Sequence, residues 1–147
     1  MDIMRMESGF LHWGHDISPE ENQYQAGLNF AISYKKNINF VGKEALLKIK
    51  DQNPTKSLAM MVLKDNRPGE PLLLHEEPIY LDDKIIGRTT SGNYSFNFKK
   101  NISFGYVNSG NSIEDLINKN LCIEVEKKKY PVTIIKKPLN QKNIKNI

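Results

Sequence analysis

The second half of the chain carries short apolar runs separated by turn residues, the pattern that predicts β-strands. The run SLAMMVL, residues 57–63, is apolar almost throughout and predicts a buried strand. Asp82-Asp83 lies between two such runs and predicts a tight hairpin. Further strands are predicted over residues 78–81, 84–87, 88–95, 102–107, 121–126 and 130–135, with a turn over 66–69. Six to eight short strands in about 80 residues are typical of an antiparallel barrel or sandwich.

One helix is predicted among these strands, and an arm of mixed structure precedes them. Ser112 stands as a cap before IEDLI, residues 113–117, whose apolar positions form one face. In the arm, SPEE, residues 18–21, has the form of a helix start, with Glu three positions after Ser. Alternation over residues 28–33 predicts a short strand, and residues 42–50 predict a second helix.

The chain begins with what reads as the end of a helix. Ile3, Met4 and Met6 are its apolar positions, Ser8-Gly9 ends it, and no capping residue opens it. A segment this short does not hold helical geometry by itself in water. We therefore expect the chain to be the back part of a larger protein.

These patterns predict a mainly β protein in three parts. An α/β arm covers residues 1–52, an antiparallel β-barrel covers residues 57–139, and residues 140–147 form a disordered basic tail. The stretch DQNP, residues 51–54, is the natural linker.

The formal net charge of +4 is concentrated at the end of the chain. Residues 127–147 hold seven lysines and no acidic residue, which leaves 14 basic and 17 acidic side chains in residues 1–126. A basic tail could bind nucleic acid by releasing counterions from phosphates. Because no aromatic stacking platform accompanies these lysines, we favour a solvated turn and tail and expect no nucleic-acid partner.

Composition excludes two classes of protein. Cys122 is the only cysteine, so a disulfide scaffold is ruled out and a reducing compartment is expected. No apolar stretch approaches the roughly 20 residues that span a bilayer, and the N-terminus has no apolar signal-peptide region. We expect a cytoplasmic protein without a membrane partner.

Several motifs follow one another in order over residues 2–107. They comprise DIMRMESG (2–9), WGHD (13–16), AGLNF (26–30), FVGKEAL (40–46), GRTTSGNYS (87–95) and KNISFGYV (100–107). Together they resemble the aminomethyltransferase family, which includes the glycine cleavage T-protein. The residues of the WGHD and AGL motifs are most similar to those in the folate-binding halves of dimethylglycine and sarcosine dehydrogenases and oxidases.

The resemblance implies transfer of a one-carbon unit from an aminomethyl or N-methyl donor to tetrahydrofolate. It also implies that the arm is the tail of a truncated folate-binding domain. The family places a catalytic Asp in the front half of the protein, before the residues matched here. We therefore expect this chain to be catalytically silent alone, to bind tetrahydrofolate weakly or not at all, and to supply one wall of the folate cleft. Its partner would be the missing N-terminal half, a partner subunit, or a second copy bound through residues 1–50.

Glu7 is the leading candidate for cofactor binding. The resemblance implies that this carboxylate lies against the pterin ring of tetrahydrofolate. A pterin presents an amino group and a neighbouring ring N–H side by side, and a carboxylate can accept both in one plane. The alternative is a surface Glu at a helix end.

The WGHD tetrad offers further candidates. Trp13 is interpreted either as an aromatic wall of the folate pocket or as a core anchor under the turn. His12 and His15 lack a third metal ligand nearby, so we predict no metal site. For Asp16 we favour a structural role as acceptor for turn amides.

The remaining candidates are basic or aromatic. Lys35 and Lys36 follow the predicted strand where T-proteins carry a basic residue that meets the glutamate tail of folate. Arg88 and Tyr94 lie in the segment that, by resemblance, faces the interdomain cleft. The alternatives are solvated turn charges for the lysines and barrel packing for residues 90–95.

A different class of function stays open from the sequence. The chain could be a non-catalytic β-barrel module, or a subunit, that docks on a partner chain. Apolar residues of the arm, Met4, Met6, Phe10, Leu11 and Trp13, would then be exposed or buried by a second chain.

Overall fold

Six antiparallel strands form the body of the protein. The computed structural model describes residues 2–36, 38–64, 67–108 and 113–135. The strands close into a barrel in the order β1-β4-β3-β2-β5-β6, with β6 paired to β1. They are β1 (Ser57–Leu63), β2 (Pro78–Leu81), β3 (Lys84–Ser95), β4 (Lys100–Val107), β5 (Leu121–Val125) and β6 (Lys128–Ile135). The predicted antiparallel barrel is confirmed.

The hairpins follow the predicted turns. Asp82, between β2 and β3, and Glu126-Lys127, between β5 and β6, adopt positive φ, as tight hairpin turns require. The two strands predicted over 84–87 and 88–95 form the single strand β3, whose register against β4 shifts between Thr89 and Ser91. Such a shift accommodates an extra residue and bends the strand without ending it.

The apolar residues of β1 divide between two cores. Ala59, Met61 and Leu63 pack with residues from all the other strands in the barrel interior. Leu58, Met60 and Val62 pack on the other face with Phe104 and with Met6 of the N-terminal segment. This two-sided burial explains why SLAMMVL is apolar almost throughout.

In the described residues, three short helices and one turn of 3₁₀-helix accompany the barrel. They are α1 (Asp2–Glu7), α2 (Lys43–Ile49), α3 (Ile113–Leu116) and the 3₁₀ turn Asn29–Ala31. The helices predicted over 42–50 and from Ile113 are confirmed, with Leu116 buried. Ser112, Asn66 and the predicted basic tail lie outside the described residues. Within the described ranges, no helix has both the length and the apolar character needed to cross a bilayer.

Two predictions for the arm are wrong. Residues 28–33 hold a 3₁₀ turn where a strand was expected, and Phe30 is 82% exposed. A strand needs a free edge to pair with, and the closed barrel offers none. The stretch at Ser18 forms the predicted capping-box contacts with Glu21 but only turns follow. Asn22 accepts hydrogen bonds from the Tyr24 and Gln25 amides through its side chain, which competes with a helix.

Candidate functional site

A buried ion pair joins the N-terminal segment to the barrel. Arg5 on α1 places Nη1 2.6 Å from Oδ2 of Asp16, whose side chain is fully buried. The backbone amide of His12 also donates to Oδ2, at 2.9 Å. Thr90 and Ser91 of β3 donate their hydroxyls to Oδ1, at 2.5 and 2.8 Å. Four donors therefore satisfy the carboxylate, which stabilises its charge inside the protein.

Further contacts extend this Arg5–Asp16 cluster. Tyr106 of β4 donates its hydroxyl to the backbone carbonyl of Asp16 at 2.9 Å. Burial, followed by the negative charges of Glu21 and Asp16, raises the pKa of Tyr106, so its hydroxyl keeps the proton that it donates. Arg5 Nη2 donates to Ser91 Oγ at 2.8 Å. The predicted structural role of Asp16 is thus observed, with partners far beyond its own turn.

Sequence reasoning missed this convergence. The cluster is assembled from MRMESG, WGHD and TTSG, three separate motifs of the family resemblance. The available signal was Arg5, a charged residue amid the apolar positions Ile3, Met4 and Met6. A charge in such a position requires a buried counter-charge.

Glu7, the last residue of α1, lies against the connection between β3 and β4. Ser95 Oγ donates to Glu7 Oε1 at 2.5 Å, and Asn97 Nδ2 donates to Oε2 at 2.8 Å. The carboxylate is half-buried, and each oxygen keeps an acceptor position beyond the bond it already receives. The arrangement presents a planar pair of acceptors in a fixed orientation.

An aromatic pair lies at the same end of β3. Tyr94 packs edge-to-face on Phe96, with ring centroids 5.1 Å apart and an interplanar angle of 78°. Phe96 is exposed and Tyr94 is half-buried. Tyr94 directly precedes the Ser95 that contacts Glu7, but successive side chains of a strand point to opposite faces of the sheet, so Tyr94 lies on the face opposite Glu7.

Trp13 lies on the surface, with 66% of its area exposed. Its interpretation as a core anchor is therefore wrong for this chain. The neighbouring His12 and His15 rings stack with centroids 4.6 Å apart. In the part of the chain that the structure describes, no three His, Cys, Asp or Glu side chains are grouped to hold a metal ion.

The three basic candidates lie elsewhere. Arg88 forms an exposed ion pair with Glu76 at 2.9 Å, on the wall of a polar cleft of about 640 Å³ between the arm and β3. Lys35 and Lys36 are exposed on the loop that follows the 3₁₀ turn. The structure thus does not gather the six predicted residues into one site. Glu7 and Tyr94 lie at the end of β3 on opposite faces, and Arg88 lies on the wall of the polar cleft. Trp13 is exposed next to Gly14, which lines that cleft, and the two lysines lie on the loop after the 3₁₀ turn.

Comparison with known proteins identifies the family. Residues 56–140 match the model of the glycine cleavage T-protein C-terminal barrel domain. The chain belongs to this family. It is 36% identical over 106 residues to an aminomethyltransferase of Symbiobacterium thermophilum, a match covering 72% of this chain and 27% of that protein. It is 32% identical over 140 residues to mitochondrial dimethylglycine dehydrogenase of Mus musculus, covering 95% of this chain and 15% of that protein.

A solved T-protein structure shows the same fold. Glycine cleavage system aminomethyltransferase T from Bartonella henselae superposes with a TM-score of 0.78 at 21% identity, covering 93% of this chain and 37% of that one. At this identity the likeness concerns the fold alone. The expected family and the T-protein barrel are confirmed, and the chain spans only a minor share of the length of these relatives.

Proposed function

We propose that this chain supplies one wall of a tetrahydrofolate cleft used for one-carbon transfer, and that Glu7 binds the pterin. The observation that carries the proposal is the half-buried carboxylate of Glu7, each oxygen of which receives one hydrogen bond from the end of β3 and the connection after it. Family membership supports the class of reaction, because relatives include aminomethyltransferases and a dimethylglycine dehydrogenase.

The residues at this place fit a pterin in their chemistry. A pterin donates from an amino group and an adjacent ring N–H, and two parallel N–H···O bonds to one carboxylate are a strong arrangement. When bound, tetrahydrofolate would supply the nitrogen that receives the one-carbon unit.

The other candidates have secondary roles in this proposal. Lys35 and Lys36 would meet the carboxylates of the glutamate tail, each exposed pairing contributing about 0.5–1 kcal/mol. Trp13 and Arg88 would line the cleft where it continues past the pterin. The group that handles the proton at the reacting nitrogen would come from polypeptide equivalent to the part of the relatives that this chain does not span.

One observation also favours the docking function. Met4, Phe10 and Trp13 expose 70%, 68% and 66% of their surfaces on one short segment. The prediction that Met6 shares this exposure is wrong, because Met6 is fully buried against β1 and β4. Apolar patches of this kind mark interaction surfaces. A barrel module that only docks on a partner would show this surface without any preference for a pterin, so ligand binding separates the two functions.

NMR titration of the labelled chain with two ligands tests the proposal. One ligand is 5-formyltetrahydrofolate, and the other is p-aminobenzoylglutamate, which lacks the pterin. Binding of the first is expected with a dissociation constant on the order of millimolar, because part of the cleft is absent. Glu7→Gln should weaken it at least about fivefold and leave the second ligand unaffected.

Glu44→Gln, at an exposed Glu of α2, is the matched control and should change neither affinity. Equal affinity of the pterin ligand for wild type and Glu7→Gln would contradict the proposed role of Glu7. Micromolar or tighter binding by wild type would contradict the proposal that this chain supplies only one wall of the cleft.

A further inference from the structure

We propose that Ser95 and Asn97 are positioning residues for Glu7, so that the barrel determines the plane in which the pterin is recognised. The inference rests on the proposed function and deepens it. It assigns to Ser95 and Asn97 of the barrel a part in ligand recognition that the sequence analysis did not give them.

Ser95 is a directed hydrogen-bond donor. Its side chain is fully buried, and its Oγ accepts the Phe98 amide at 3.1 Å while lying 2.5 Å from Glu7 Oε1. A hydroxyl has only one proton to donate. Because the Phe98 N–H takes one acceptor side, the Ser95 proton is directed to Glu7.

Asn97 restricts the rotation of the Glu7 carboxylate, which Ser95 alone would leave free. The terminal torsion of a Glu side chain is broad, so a single donor holds the position of one oxygen but not the rotation of the carboxylate. Asn97 Nδ2 donates to the second oxygen at 2.8 Å. With one donor on each oxygen, the directions of the two remaining acceptor positions are set before any ligand arrives.

The barrel hairpin places both donors. Ser95 ends β3 paired with Lys100, and the connection returns through Lys99 at a φ of 54°. Asn97 lies within that connection. Orientation of the carboxylate before binding lowers the entropy lost when a ligand is captured, which is the general benefit of preorganisation.

Asn97→Ala is the primary test because Asn97 is exposed and its substitution leaves the barrel core intact. We expect about threefold to tenfold weaker binding of 5-formyltetrahydrofolate by NMR titration and unchanged binding of p-aminobenzoylglutamate. Asn93→Ala, at an exposed asparagine of the preceding strand β3, is the control and should bind like wild type.

A double-mutant cycle separates positioning from general effects. In the Glu7→Gln background, Asn97→Ala and Ser95→Ala should cause no further loss, since the carboxylate that they orient is gone. Wild-type affinity of Asn97→Ala, with Glu7→Gln still weakened, overturns this inference and leaves the proposed function standing. An equal loss from Asn97→Ala in both backgrounds also overturns it. If Glu7→Gln itself binds normally, the proposed function fails first.

Discussion

Asp16 connects several separate elements of this protein through hydrogen bonds. Its carboxylate receives hydrogen bonds from α1, from its own turn and from β3, and its carbonyl receives one from β4. The sequence predicts Asp16 as an acceptor for turn amides, but Arg5 lies 11 residues away and the partners on β3 and β4 lie 74 to 90 residues away. Side-chain pairing across such distances depends on how the arm packs on β3 and β4, which residue patterns do not specify.

Asp16→Ala should therefore be strongly destabilising. The substitution leaves the Arg5 guanidinium in a part-buried position without its main counter-charge, and breaking one side of a buried pair costs about 3–5 kcal/mol. Urea denaturation measures the loss in the free energy of unfolding. Asp2→Asn, at the exposed partner of the same arginine, should cost less than about 1 kcal/mol. Similar losses at both positions would refute the central role of the buried pair.

The contacts of Glu21 predict how the free energy of unfolding changes at acid pH. Burial opposes its ionisation, but hydrogen bonds from Lys56 and Ser18 outweigh burial and lower the pKa of this carboxyl below its ordinary value of 4.5. A lowered pKa adds stability above the ordinary value, and this contribution is lost as the pH falls through the folded-state pKa. Glu21→Gln should accordingly show a smaller fall in unfolding free energy below pH 4.5 than wild type. Denaturation series at several pH values check this, with Glu20→Gln as the exposed control; a wild-type slope in Glu21→Gln would contradict it.

At the scale of elements, the barrel could be predicted and the arm only in part. The strands follow from local signals: an apolar run at β1, a two-residue turn at Asp82-Asp83, and alternation in β5. In the arm, residues 28–33 have the alternation of a strand but find no sheet edge to pair with. Ser18 makes the contacts of a helix cap, but the residues after it form turns and not a helix. Whether a strand finds a partner, and whether a capped turn continues as a helix, depends on tertiary contacts. These contacts override weak local preferences in short segments.

Gly87 is a position where β3 tolerates no side chain. A Cβ added there would lie 1.8 Å from the backbone carbonyl oxygen of Tyr106 on β4, so no rotamer change could relieve the clash. Gly87→Ala should lower the unfolding free energy by at least about 3 kcal/mol. Asn93→Ala, exposed on the same strand, should have little effect. Thermal denaturation compares the two, and a stable Gly87→Ala variant would mean that the β3–β4 pairing is looser than described.

At the scale of the whole molecule, the exposed apolar arm predicts association. Met4 and Phe10 lie on the outer surface of the N-terminal segment, and in the absence of another partner a second copy can cover them. Sedimentation velocity should show concentration-dependent association that Phe10→Ser reduces. Ile85→Ser, at an apolar position equally exposed on the barrel, should leave association unchanged. A monomer at all concentrations would argue against a homodimer through residues 1–50.

The chain alone should also show no aminomethyl transfer. Glu7 and its neighbours can orient a cofactor, but the reaction needs donor and acceptor atoms held in contact with a group that manages the proton. Turnover of an aminomethyl donor with tetrahydrofolate should stay at the background rate. Measurable turnover would contradict this prediction, because it would require a catalytic group within residues 1–147.

A crystal structure of the chain grown with 5-formyltetrahydrofolate would show directly whether Glu7 binds the pterin. We expect the pterin amino group and adjacent ring N–H to lie within hydrogen-bond distance of the two Glu7 oxygens, with the Ser95 and Asn97 contacts retained. A pterin bound elsewhere, for example in the polar cleft at Arg88, with Glu7 held only by Ser95 and Asn97, would contradict it.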